Sequence, residues 1–180
     1  MKIAVYTLNK ELPVAQAVRH LAQQYHTLTT HQPDLVFSVG GDGTFFFAER
    51  AYPGVPKLLI KESHICKKCQ HVALHNMISH LEQRRYSLHT LTKLEAVVGK
   101  KRIEAVNDII IRNKVPQRAL RFSVHADGHH YPEIIGDGIV ASTPYGSTAY
   151  FHSITHHSFS SGIGLAFNNP TEALQPLVLR

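Results

Sequence analysis

"DLVFSVGGDGTFFFAER", residues 34–50, decides the fold. It opens as a short, nearly continuous apolar run of the kind that fits a strand buried on both faces, and the run ends directly in glycines. "TFFFAERAY" then reads as a helix leaving the turn. In that setting, consecutive backbone N–H groups and a helix N-terminus can hold anionic oxygens. Asp42 stands against this, because a carboxylate repels phosphate. The loop lacks the lysine of a GxxxxGK[ST] P-loop and fails GxGxxG at its last place, where Phe46 stands. Taken alone, it reads equally as a plain strand-to-helix turn with Asp42 or Thr44 as the cap.

Working outward, "KIAVYTL" (2–8) reads as a first strand. In "ELPVAQAVRHLAQQYH" (11–26), Val14, Ala17, Val18, Leu21, Ala22 and Tyr25 recur at helical spacing. "KLLIK" (57–61) reads as a third strand and "HVALHNMISHLEQRRY" (71–86) as another helix. Strands alternating with helices predict a parallel α/β sheet. The texture changes near Ser87. "SLHTLTKLEAVVG", "KRIEAVNDIIIRN", "ALRFSVHAD" and "HHYPEIIGDGIVAST" read as consecutive strands separated by turn residues, and "GIGLAF" and "LQPLVL" as two closing strands. The expectation is an α/β N-terminal half, residues 1–87, followed by a β-rich C-terminal half, residues 88–180.

The chain has 180 residues, 43% hydrophobic and 18% charged, which suits one globular domain or two small ones. The opening apolar run reaches Asn9, Lys10 and Glu11 too soon for a signal peptide, and no later stretch approaches the roughly 18 apolar residues of a membrane span. A cytoplasmic protein without membrane contact is expected. The net charge of +6 suits an anionic ligand. Nucleic-acid binding is not expected, since no dense basic patch with interleaved aromatics occurs. The two cysteines, Cys66 and Cys69, stand in "SHICKKCQH" between His64 and His71. These four residues are candidate zinc ligands; the alternative is a basic surface turn that carries two thiols.

Two further stretches carry polar groups at turns. In "GDGIVASTPYGSTAY" (136–150), a strand runs into a turn rich in hydroxyls, from Ser142, Thr143, Ser147 and Thr148, and then into a helix start. Such a turn can bind ribose and phosphate oxygens or serve as a helix cap. In "VNDIIIRN", Asn107 and Asp108 lie at the mouth of an apolar strand, where an amide and a carboxylate can read an adenine edge and a ribose diol or simply be solvated.

Together, "GGDGT" at 40–44, "ND" at 107–108 and "GDGIVASTPYGSTAY" resemble the NAD kinase family in order, spacing and wording, over roughly residues 1–153. The resemblance implies a kinase that moves the γ-phosphoryl of ATP to the adenosine ribose 2′-hydroxyl of NAD, giving NADP, with magnesium accompanying ATP. It implies that Asp42 accepts the hydroxyl proton and that Gly40, Gly41, Gly43 and Thr44 meet the phosphates. Asp42 and Gly43 also border NAD, Asn107 and Asp108 hold its ribose and nicotinamide side, and Asp137 binds its amide end from a neighbouring subunit. Thr148, Ala149 and Tyr150 line the adenine pocket, with Ser153 adding a polar contact. The sequence departs from the family at "LLIKESHICKKC", where a glycine-rich segment is usual, and at Tyr145 and Asp108, where the family has a small hydroxyl residue and Glu. Its C-terminal part is also shorter than is usual. That shortness implies apolar surface covered in a homodimer or homotetramer. The alternatives are a kinase of another nucleoside or a lipid hydroxyl, and a non-catalytic nucleotide- or zinc-binding regulator.

Overall fold

Alternating apolar residues organise the first of two units in the computed structural model, which describes residues 1–61, 74–115 and 117–180. The units are Met1–His89 and Thr90–Arg180. The first holds β1 (Lys2–Tyr6), α1 (Pro13–Tyr25), β2 (Thr27–Leu28), β3 (Leu35–Gly40), α2 (Asp42–Ala51), β4 (Lys57–Lys61) and α3 (Leu74–Glu82). Its strands lie in the order β2-β1-β3-β4, all parallel. Every residue of β3 is buried. Leu35, Phe37 and Val39 join Ile3 in a core with Ala15, Val18 and Ala22 of α1 and Met77, Ile78 and Leu81 of α3. Val36 and Ala4 point the other way, against Ala48 of α2. A period of two along the strands thus meets helices on both faces, as a parallel sheet requires.

Two local features set where α2 runs. The helix begins at Asp42, with Gly41 as an extended N-cap, so the sequence reading that started it after the glycines is corrected. Asp42, Gly43 and Thr44 are its first turn, because one strand residue, Gly40, already reverses the chain with φ +151°. At the other end, the buried Lys57 ammonium of β4 pairs with Glu49 and with the Tyr52 carbonyl. A buried cation is tolerable only when its charge and its hydrogen bonds are matched, and this pair ties the end of α2 to the sheet.

The second unit is antiparallel. It contains β5 (Leu94–Val98), β6 (Lys101–Ala105), β7 (Asp108–Arg112), β8 (Leu120–Ala126), β9 (His129–Gly136), β10 (Gly138–Ser142), a 3-10 turn (Gly146–Thr148), α4 (Tyr150–Thr155), β11 (Ile163–Asn168) and β12 (Leu177–Leu179). A four-stranded sheet runs β12-β11-β10-β7, and β5-β6 and β8-β9 are hairpins. Phe151 of α4 packs on Val140 and Ala166, which face each other across β10 and β11.

Three strand readings change here. "KRIEAVNDIIIRN" is two strands, because β6 pairs with β5 while β7 pairs with β10. "HHYPEIIGDGIVAST" also divides, at Asp137, since β9 pairs with β8 and β10 with β7 and β11. "SLHTLTK" is not a strand at all, and Leu88 is 71% exposed. Alternating apolar residues suit a strand but do not supply the neighbour to which it must bond.

The sheet and helix faces of the first unit predict a contrast between two phenylalanines. Phe37 is fully buried and Phe47 is 46% exposed. Phe37→Ala is expected to cost about 3–5 kcal/mol in urea unfolding, whereas Phe47→Ala is expected to change stability by no more than about 0.5 kcal/mol. Equal losses would contradict the buried face assigned to β3.

Candidate functional site

In the first unit the glycine turn brings a carboxylate and backbone donors to one helix end. A Cβ on Gly40 would lie 2.3 Å from the Thr44 hydroxyl oxygen, so the strand can pass over α2 only as glycine. Thr44 is buried beneath it. What Thr44 offers a ligand is therefore its backbone. The N-cap of α2 is Gly41, which has no side chain, so neither Asp42 nor Thr44 holds the capping position that the residues alone allowed. The amides at the start of a helix carry partial positive charge and favour anions. Gly43 is exposed, and a Cβ there would meet nothing within 4 Å. Packing among the described residues therefore does not demand a glycine at 43, whereas close approach of a ligand to the backbone would.

In the second unit, hydrogen bonds between residues more than thirty positions apart fasten two motifs into one block. The Asn107 carbonyl accepts the Thr143 amide at 2.9 Å. The Thr143 hydroxyl donates to the Val106 carbonyl at 2.6 Å and accepts the Gly146 amide at 3.0 Å. A Cβ on Gly146 would fall 2.1 Å from the Asn107 oxygen, so a glycine is required for this approach. The Ser147 hydroxyl lies 2.8 Å from the Pro144 carbonyl oxygen and 3.0 Å from that of Phe159, and its one hydrogen is shared between them. Ser142, Thr143 and Ser147 are each at most 1% exposed. Of the four hydroxyls that the sequence offered as ligand contacts, three are spent inside the turn, and Thr148 alone is exposed.

The block presents Asn107 and Asp108 side by side. The Asn107 Nδ2 group donates to Asp108 Oδ2 at 3.2 Å, and Asn107 Oδ1 is buried with no hydrogen-bond partner among the described residues. A buried acceptor in that condition is under-satisfied and suited to a donor from a ligand. Burial pushes the Asp108 carboxyl above its ordinary range, since desolvation disfavours the charged form.

A cleft of about 640 Å³ opens in the same unit, within the range usual for small-molecule sites. Tyr150 and Ser153 of α4 line one side, with Asn169, Leu174 and Gln175 of the segment between β11 and β12 on the other. Ser153 Oγ donates to the Tyr150 carbonyl at 2.7 Å, leaving lone pairs as its free valence. Asp137 stands at the corner between β9 and β10, where its Oδ2 accepts Asn169 Nδ2 at 3.1 Å. Ala149 is exposed beside Tyr150. Asn169 and the segment that follows were not foreseen in the sequence; "NNP" signals a turn but not which cleft it walls. The half-buried Tyr145 leads into the 3-10 turn. The candidate zinc ligands His64, Cys66, Cys69 and His71 lie outside the described residues. Among the described residues no group of three or more His, Cys, Asp or Glu could hold a metal ion.

No protein-family model matches the chain. It is 31% identical over 124 residues to an NAD kinase of Methanospirillum hungatei, covering 67% of this chain and 46% of that protein. An NAD kinase of Gemmatimonas aurantiaca is 28% identical over an alignment of 187 positions, covering 96% of this chain and 65% of that one. The chain thus spans less than two thirds of the length of either relative. In fold it is similar to an NAD kinase from Archaeoglobus fulgidus solved in complex with ATP, with a TM-score of 0.78, 17% identity, and coverage of 99% of this chain and 77% of that one. It is also similar to yeast NADH kinase complexed with NADH, with a TM-score of 0.80, 18% identity, and coverage of 99% and 69%. With a parallel α/β half, a β-rich half and curated relatives that share its sequence, the chain belongs to the NAD kinase family.

Proposed function

We propose that the protein is an ATP-dependent NAD kinase that transfers the γ-phosphoryl group of ATP to the adenosine ribose 2′-hydroxyl of NAD, giving NADP. The observation that carries this reading is the similarity to relatives named NAD kinase, at 31% identity over 124 residues. The built block around Asn107, Asp108 and Thr143 supports it. Residues 1–87 are then the nucleotide-binding domain and residues 88–180 the NAD-binding domain. Cytoplasmic NAD and ATP are the natural substrates, and among the described residues no helix is long and apolar enough to cross a membrane.

Phosphoryl transfer asks the protein mainly for positioning, charge neutralisation and a proton acceptor. Asp42 takes the proton of the 2′-hydroxyl as that oxygen bonds to the γ-phosphorus. The bond to the β–γ bridging oxygen breaks, and ADP leaves with the electron pair. Backbone N–H groups of Gly41, Gly43 and Thr44, with Gly40 holding the turn, face the phosphate oxygens. Asn107 Oδ1 and the Asp108 carboxylate accept hydrogen bonds from the ribose and nicotinamide side of NAD. Thr148, Ala149 and Tyr150 flank the adenine, Ser153 adds an acceptor, and Asp137 reaches the amide end from a neighbouring subunit.

The Asp42 carboxylate in the first turn of α2 fits magnesium carried on ATP, an ion usually held by one or two carboxylates, water and the substrate's phosphates. Magnesium on ATP neutralises charge on the transferring group. A homodimer or homotetramer accounts for the exposed Val97, Val98, Ile103 and Ile111, which are 54–65% accessible on the β strands.

The direct test incubates purified protein with ATP, magnesium and NAD and measures NADP, with light scattering on the same sample. Wild type is expected to form NADP as a dimer or tetramer, and Asp42→Asn to lose about 10²–10⁴-fold in kcat. Absence of NADP from folded wild type would overturn the reading, a monomeric mass would overturn the assembly, and an unimpaired Asn variant would overturn the role of Asp42.

Asp108 predicts opposed effects on stability and activity. Its folded carboxyl titrates above its unfolded range, so its contribution to stability is fully present in acid and is lost as pH rises through the folded value. Asp108→Asn, which resembles the neutral form at every pH, is expected to have a Tm at pH 7 at or above that of wild type, with the gap closing in acid. Its KM for NAD is expected to rise roughly 10-fold through loss of a charged acceptor. A variant with lower Tm at neutral pH and an unchanged KM for NAD would contradict both the desolvation and the binding role.

A further inference from the structure

The corner between β6 and β7 has no ladder of its own. Pairing with β5 ends at Ala105, and pairing with β10 starts at Asp108, opposite Ser142. Val106 and Asn107 fall between the two. Their carbonyls are gripped by the turn that follows β10: Val106 by the Thr143 hydroxyl at 2.6 Å, and Asn107 by the Thr143 amide at 2.9 Å. The Thr143 hydroxyl also lies 3.3 Å from the Asn107 oxygen, and Ser142 Oγ lies 3.4 Å from it. One hydroxyl hydrogen makes one strong bond, so the short contact to Val106 is the principal one. A lone pair of the same oxygen takes the Gly146 amide at 3.0 Å. The threonine is fully buried, and no ligand reaches it.

We propose that Thr143 is a positioning residue for the acceptor site. Resting on the reading of Asn107 and Asp108 as acceptor contacts, this assigns to its hydroxyl the task of fixing the backbone from which those two side chains project. Valine has the same shape but neither donates nor accepts. It leaves the Val106 carbonyl and the Gly146 amide buried without their partner, and the corner must move to recover hydrogen bonds. Asn107 and Asp108 move with it. The glycine turn on α2 is built from other residues, so the phosphate side of the reaction is not expected to feel the change.

Ser147 supplies the control. It is as buried as Thr143 and its hydroxyl also contacts two backbone groups, but those are the carbonyls of Pro144 and Phe159, neither of which belongs to the corner between β6 and β7. Steady-state kinetics, thermal unfolding and the NMR signals of the Asn107 side-chain amide and the Gly146 backbone amide are measured for Thr143→Val, Thr143→Ser and Ser147→Ala. Thr143→Val is expected to raise KM for NAD roughly 10-fold or more, with KM for ATP unchanged. It should also shift both amide signals. Thr143→Ser restores the hydroxyl and is expected to return KM for NAD to within about 3-fold of wild type. Ser147→Ala is expected to lower Tm while leaving KM for NAD and the Asn107 signal in place. If valine does not fold at this position, Thr143→Ala carries the same comparison. The proposal is overturned if the valine or alanine variant loses stability but keeps KM for NAD and the Asn107 signal, or if Ser147→Ala raises KM for NAD equally. Wild type that makes no NADP would instead overturn the kinase reading; the Asn107 signal would then decide the positioning role, an unshifted signal counting against it.

Discussion

The Asn107 carbonyl is the point on which the β-rich unit closes. It accepts the Thr143 amide, it lies where any side chain on residue 146 would have to go, and it precedes the first residue of β7. Because this contact is backbone to backbone, it fixes two remote segments of chain to within a hydrogen bond of each other. The polar side chains on either side inherit that precision. Three buried hydroxyls then spend their hydrogen bonds on backbone carbonyls of the same unit. A donor-rich turn that looks made for a ligand is largely made for itself.

The α/β unit handles its polar groups differently. Here the glycine at the end of β3 reverses the chain over a buried threonine, and α2 starts at once with no side-chain cap. A glycine at the N-cap brings no side-chain oxygen to the first amides of the helix, an end whose partial positive charge favours an anion. Asp42 occupies the first turn of the same helix, where its charge is favoured by the dipole rather than opposed by it. An acid amid these glycines is thus compatible with the local electrostatics.

Asp108 and Asn107 show the cost of a site built from a sheet corner. Burial disfavours the Asp108 charge, and the Asn107 oxygen is enclosed with no partner among the described residues. Neither condition benefits the folded chain. Donors from a ligand would relieve both, and on the proposed reading that relief contributes to affinity.

The sequence by itself determined the alternation of strands and helices up to α3, the buried character of β3 and the three motifs. These are local properties: an apolar run, a helical period and glycines at a turn are readable without knowing any neighbour. It also carried the closing strands β11 and β12. Only the tertiary structure decided that "KRIEAVNDIIIRN" and "HHYPEIIGDGIVAST" each break in two, because a break is a change of pairing partner and the partner lies far along the chain. The breaks fall at Asn107 and at Asp137, so the sequence named these residues without giving the reason for their place. For the same reason Thr143 read as one hydroxyl among four. Its role depends on Val106 and Asn107, more than thirty residues away, and hydrogen bonds across that separation leave no period in a sequence.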